Sequence, residues 1–317
     1  MEPQLSIDPV SDVEQLLSYP FMVNALEAGT IVAVMAAVVG WLMVVRRQSF
    51  AGHTLSLMSF PGAAAAALVG VPLAYGYYSF CVAAALVIAA GAGLSLGRNR
   101  ARESAATGTV QAGALALGFV FLSLYGGVLE SLETLLFGSF LGITPGQVLT
   151  LLGVAMAVLI GLAVVGRPLL LASVDEVVAR ARGVRVGALS VAFLVVLGLA
   201  VAATAQITGA LLVFALLIAP AASAQQLTAR IGVGLALSIG LALVVTWVGL
   251  GLSYFTNWPV GFLITTLAFL QYATASAARA FAGRHSRAGR RIGGPSGPTT
   301  AAGASAGEPL AQPARGS

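Results

Sequence analysis

The chain has 317 residues, 58% of them hydrophobic and only 9% charged, with a formal net charge of +5 and a mean hydropathy of +0.95. A soluble domain carries about a quarter charged residues, so this composition excludes a soluble enzyme and describes a polytopic membrane protein. Its 38 glycines suit that solvent, because small residues let neighbouring helices approach closely where no hydrophobic effect drives them together.

Apolar runs long enough to cross a bilayer recur along the chain. They predict spans over roughly 21–45, 54–74, 77–97, 105–126, 145–165, 187–205, 209–225, 231–254 and 258–278. Within lipid every backbone polar group must be satisfied internally, so the fold class is all-α, a transmembrane helical bundle. The turn near "AQITG" (205–209) is so tight that 187–225 reads either as two crossings or as one re-entrant pair, giving eight or nine spans. Cys81 lies inside an apolar run and is expected to pack as a small hydrophobe.

All 16 basic residues are arginines, and they cluster. Arg46 and Arg47 follow the first span. Arg98, Arg100 and Arg102 follow the next pair, and Arg167, Arg180, Arg182 and Arg185 the pair after that; Arg230 and the tail from Arg279 complete the series. Two crossings separate each cluster from the next, so all can share one side, which the positive-inside rule makes cytoplasmic. Residues 1–20, with Glu2, Asp8, Asp12 and Glu14 and no basic run typical of a secretory signal, form an extracytoplasmic segment, and Glu130 and Glu133 fall in a loop opposite the arginines. The C-terminus is then cytoplasmic. Residues 281–317 are basic at first and then rich in Gly, Pro and Ala, a composition expected to be disordered. Their arginines suit an anionic leaflet rather than nucleic acid.

The sequence contains no P-loop, no Cys/His metal cluster and no HExxH motif, so no ATP hydrolysis or other enzymatic activity is expected of this chain alone. Pro61 and Pro220 each interrupt an apolar helix. A proline there removes a hydrogen bond and kinks the helix, and broken helices commonly line the substrate path of transporters. The stretch "SVDEVVARARGVRVG" (173–187) differs from the other cytoplasmic loops. Val174, Val177, Val178 and Ala181 form an apolar stripe, acidic residues stand in its first turn and arginines in its last, and Gly183 supplies the stop. Such a short helix either lies on the membrane surface or docks a partner. "TLLFGSFLG" (134–142) offers Gly138 and Gly142 as a close-approach surface.

Several stretches in order resemble the permease subunit of bacterial ABC importers for zinc, manganese or iron: 19–62, "LLFGSFLGITPGQV" (135–148), "LLLASVDEVVARARGVRV" (169–186), "QITGALLVFALLIAPAASAQQLTAR" (206–230) and "LSYFTNWPVGFLI" (252–264). The resemblance spans roughly residues 19–280, and it implies a permease domain over 21–280 in the bacterial cytoplasmic membrane. It further implies a second permease copy, a cytoplasmic ABC ATPase and an extracytoplasmic metal-binding protein as partners. No resident cofactor is implied, the metal ion being cargo. Asp175 to Gly183 would be the coupling helix that fits the ATPase, with Asp175, Glu176, Val177, Ala179 and Gly183 as its coupling residues. Met58, Pro61 and Pro220 would border the ion path.

Many relatives carry Asp and His four residues apart where this chain has His53 and Leu57, so the carboxylate is missing and one imidazole remains. A neutral imidazole can still bind Zn²⁺ or Mn²⁺ transiently, which makes His53 the candidate metal residue, although the arginines place it near the wet cytoplasmic edge. Loss of the carboxylate favours zinc, then manganese, with iron possible. Two alternatives remain at this stage: a secondary transporter driven by an ion gradient, which would want acidic residues within its spans where only Glu27 is a candidate, and a membrane scaffold without transport.

Overall fold

The computed structural model describes residues 14–92, 100–125, 142–256 and 258–292. Glu130, Glu133, the 134–141 part of the glycine-containing stretch and residues 293–317 lie outside them. Among the described residues there are helices and no strand: α1 (Pro20–Val45), α2 (Ser49–Leu57), α3 (Ser59–Val69), α4 (Leu73–Ala92), α5 (Arg100–Tyr125), α6 (Pro145–Val174), α7 (Glu176–Ala181), α8 (Val186–Leu227), α9 (Ile231–Thr256) and α10 (Val260–Ile292). The chain divides into two units, Met1–Arg279 and Ala280–Ser317. Within the second, α10 stays helical to Ile292, so the boundary placed at 281 from composition falls inside a helix.

Local sequence accounts for the helix ends. Thr144 and Gln147 form a capping box at the start of α6, the Gln147 Oε1 accepting from Thr144 N at 2.9 Å and Thr144 Oγ1 from Gln147 N at 3.4 Å, with Pro145 in the first turn. At its other end α6 outruns the span expected over 145–165, continuing through Pro168 to Val174. Helix α3 closes on Gly70 at φ 76°, the left-handed position that glycine takes without a Cβ penalty.

Among the described residues, seven helical stretches are long and apolar enough to cross a membrane: Pro20–Val45, Leu73–Gly91, Ser104–Tyr125, Pro145–Val174, Val186–Ala210, Ile231–Thr256 and Val260–Phe281; Leu212–Leu227 is a shorter apolar helix. The two predicted spans that fall short of a full helix are those carrying the prolines. The 54–74 prediction corresponds to α2 and α3 meeting at Met58, three residues before Pro61, and the 209–225 prediction is the short second half of α8 around Pro220.

Helix α8 is the core of the bundle, packing against α1, α4, α2, α9 and α6. It is also folded back on itself. Ser190 near its start accepts a hydrogen bond from Arg46 Nη2 at 2.8 Å, while Gln225 near its end donates to the Trp41 carbonyl at 3.1 Å. Residues 41 and 46 are about 7.5 Å apart along α1, whereas a straight helix would set 190 and 225 roughly 50 Å apart. The chain therefore reverses between them. The reversal falls at Gly209, whose φ 74° and ψ 164° are non-helical. Thr204 and Thr208 lead into it, their hydroxyls donating to the carbonyls one turn back at 2.7 and 3.0 Å, a pattern that bends helices. The tight turn read at 205–209 is thus a single-residue break, and it leaves Arg185 and Arg230 at the same end of the bundle.

Candidate translocation path and coupling segment

His53 lies one turn into α2, beneath the second half of α8. Its ring packs edge-on against Phe214, centroids 4.8 Å apart. Its Nδ1 is shut off from solvent and has no hydrogen-bond partner among the described residues. His53 as a residue is half-buried: α2 packs against α8, with Gly52 pressed on the Met43 side chain, and this shields one ring nitrogen. A buried unpaired imidazole nitrogen costs free energy; it is the one feature of this neighbourhood that a transient cation would relieve.

The surrounding side chains are weak donors. Met58 is fully buried between α2 and α3, and Thr54, Ser56 and Ser59 are buried beside it. Their hydroxyls are spoken for: Thr54 Oγ1 bonds Gln111 Oε1 at 2.8 Å, Ser56 Oγ donates to the His53 carbonyl at 2.7 Å, and Ser59 Oγ to the Ser56 carbonyl at 2.5 Å. The serine bonds hold the chain together just where Pro61 withdraws an N–H from the ladder. Pro61 and Pro220 are both buried in the bundle. No group of three or more His, Cys, Asp or Glu side chains converges among the described residues, so nothing here resembles a tight cage. Glu27 is exposed and borders a separate apolar groove of about 900 Å³ with Thr30 and Trp247, away from His53.

The other element of interest is α7. Asp175 caps it, Oδ1 accepting from Val178 N at 3.0 Å, and Glu176 pairs with Arg180 at 2.5 Å. Gly183, at φ 77°, closes it: Gly183 N bonds Arg180 O at 2.9 Å and Val184 N bonds Ala179 O at 3.1 Å, a Schellman ending. Ala179 is fully buried and seats the helix against the bundle. Val174 and Val177 are 78% and 77% exposed, and Val178 is also exposed. The apolar stripe read from the sequence therefore faces away from the protein's own core.

Sequence reasoning treated Arg46 only as a topological marker. The structure makes it a junction. The end of α1 is a Schellman turn, with Gln48 N bonded to Met43 O and Arg47 N to Val44 O, both at 3.0 Å. Arg47 occupies its left-handed position at φ 57°, where glycine would be expected. Arg46 points inward. Its Nε donates to Gln48 Oε1 at 3.0 Å, its Nη1 to Ser173 Oγ at 3.2 Å and its Nη2 to Ser190 Oγ at 2.8 Å, and Cζ stands 5.1 Å over the buried Phe193 ring. In the sequence, the signal is a basic residue directly after a predicted span, two positions before a glutamine.

A helical bundle with a folded-back central helix, proline-broken helices beside a half-buried imidazole and an outward-facing apolar knob has the form of a membrane permease subunit. The family model described as the ABC 3 transport family matches residues 18–279, and the chain belongs to that family. It is 30% identical over 262 residues to the manganese transport system membrane protein MntC of Halalkalibacterium halodurans, covering 83% of this chain and 88% of the relative. It is 28% identical over 252 residues to the manganese import system permease protein ScaB of Streptococcus parasanguinis, covering 78% and 87%. Among solved structures it resembles PsaBC from Streptococcus pneumoniae in complex with Fab, with a TM-score of 0.73, 26% identity, and coverage of 84% of this chain and 94% of that one. The chain is a multi-pass membrane protein and a transport subunit.

Proposed function

We propose that this chain is the permease of an importer for a divalent transition-metal ion, driven by a separate cytoplasmic ATPase and supplied by an extracytoplasmic metal-binding protein. The observation that carries the reading is the projecting α7, whose Val174 and Val177 are exposed while Ala179 is buried. An apolar face turned outward from a cytoplasmic end is suited to a groove on a partner. In this reading Asp175, Glu176, Val177 and Gly183 shape the docking surface and Ala179 roots it. A second permease copy completes the pore, and the basic clusters, with the C-terminus, face the cytoplasm.

His53, with Met58, Pro61 and Pro220 around it, borders the ion path. A single imidazole beside packed hydroxyls holds an ion loosely, and loose holding is what passage requires. The missing carboxylate argues for zinc; the relatives' names argue for manganese. The order proposed is Mn²⁺, then Zn²⁺, then iron.

The test is uptake of radiolabelled Mn²⁺ into proteoliposomes holding the permease and its ATPase. Glu176→Arg breaks the pair with Arg180 and sets two guanidinium groups one turn apart. It is expected to lower ATP-dependent uptake about tenfold, equivalent to roughly 1.4 kcal/mol of docking energy, while the permease still inserts. Full uptake with Glu176→Arg would contradict the docking role.

A further inference from the structure

The segment 174–185 is tethered at both ends to one side chain. Ser173 is the last residue but one of α6, two positions before the Asp175 cap, and Ser190 lies in the second turn of α8, just beyond the segment. Both hydroxyls accept from the same guanidinium, at 3.2 and 2.8 Å. That guanidinium also bonds the side chain of Gln48 at 3.0 Å, the residue at the N-cap position of α2, five positions before His53. Ser190 and Phe193 are essentially fully buried and Gln48 is 5% exposed, while Arg46 and Ser173 are half-buried, so these bonds are partly shielded from water, which makes them stronger and more costly to lose. Beside them a polar cavity of about 360 Å³ opens, bordered by Arg46, Gln48, Ser173, Glu176 and Ser190. The cavity lies beside α7, and Arg46 joins the end of α6 and the start of α8, which flank α7 in the chain, to the start of α2.

We propose that Arg46 is the positioning residue through which displacement of the coupling segment reaches α2 and the half-buried imidazole. The inference rests on the ATPase-coupled reading above. Arginine suits the task because its planar fork serves several acceptors in fixed directions while its charge is permanent; a lysine ammonium is a point charge on a flexible stem and cannot hold the same three directions at once. When the ATPase moves α7, Ser173 and Ser190 move with it, and the guanidinium passes that displacement to Gln48 and the start of α2. Removing Arg46 leaves α7 able to dock and the ATPase able to hydrolyse, with the motion lost in the cavity.

The decisive quantity is the number of Mn²⁺ ions imported per ATP hydrolysed by the assembled complex in proteoliposomes. Arg46→Gln is expected to lower this ratio about tenfold, Arg46→Lys and Ser190→Ala by less, with the ATPase still co-purifying. Arg47→Gln, which removes the same charge from the exposed neighbouring position, keeps the ratio. A merely structural Arg46 would reduce the yield of complex and leave ions per ATP unchanged in what assembles, and that result would overturn the inference. If Arg46→Gln fails to assemble, Ser190→Ala decides: a lowered ratio supports the bridge and an unaltered ratio refutes it. Absence of ATP-dependent uptake by the unaltered complex would instead overturn the proposed function itself, and this inference with it.

Discussion

Replacing Gly209 by alanine is expected to destabilise the protein by about 1–3 kcal/mol, the cost of holding a side-chain-bearing residue in a backbone region that is nearly glycine's alone. At φ 74° and ψ 164°, a Cβ meets its own backbone whatever space surrounds it. The strain cannot be relieved locally, because both halves of α8 are anchored at the same end of α1 through Ser190 and Gln225. If residue 209 relaxed toward helix, one half would have to leave the bundle. Thermal unfolding of the purified protein in detergent should therefore show a lowered midpoint for Gly209→Ala, accompanied by loss of transport. An unchanged midpoint would mean that the reversal does not depend on this residue.

Gly40→Ala is expected to be as damaging for a different reason. A Cβ at position 40 would lie 1.9 Å from the backbone carbonyl oxygen of Leu217, a contact between two helix backbones that no rotamer change can relieve. Leu217 sits three residues before Pro220, so α1 approaches α8 closely beside its proline-weakened turn. Overpacking usually costs about 1–3 kcal/mol; here backbone must move, so the upper end is expected. The same unfolding assay checks it, and a Gly40→Ala protein with the unaltered midpoint would show that α1 and α8 are not held so close. Cys81 offers a contrast: fully buried, with its Sγ 3.5 Å from the Leu55 carbonyl, it packs as the small apolar residue its setting suggested.

Much of this architecture was legible because membrane physics leaves few alternatives. Apolar length located the helices, and the spacing of Arg46, Arg167 and Arg230 grouped their ends. Pro61 and Pro220 marked the two spans that are not complete helices, since a missing N–H weakens a helix in any surroundings. What escaped the sequence depends on tertiary neighbours. Apolar length ended the span near 165, yet α6 continues to Val174 because its C-terminal turns are held at Leu169 and Ser173. That His53 is half-buried, with Nδ1 shielded and the ring against Phe214 of α8, depends on a neighbour distant in sequence that counting from Arg47 cannot reveal. Arg46 and Arg47 are indistinguishable in sequence. Only a Schellman turn with Arg47 in the left-handed position separates an inward guanidinium from an outward one. The stripe of valines in 173–187 was recognised, but which way it faced was a matter for the fold.

The central claim is that the 174–183 knob is held by a cytoplasmic ATPase. Since the native chain has one cysteine and it is buried, Val177→Cys would provide a single accessible thiol at the tip of α7. Cross-linking from that thiol in intact membranes, with and without the ATPase co-expressed, tests the claim most directly. The account predicts a permease–ATPase adduct that disappears when Glu176→Arg is introduced alongside it. Modification of the Val177→Cys thiol by a membrane-impermeant reagent from outside the cell, or no adduct with the ATPase present, would contradict it.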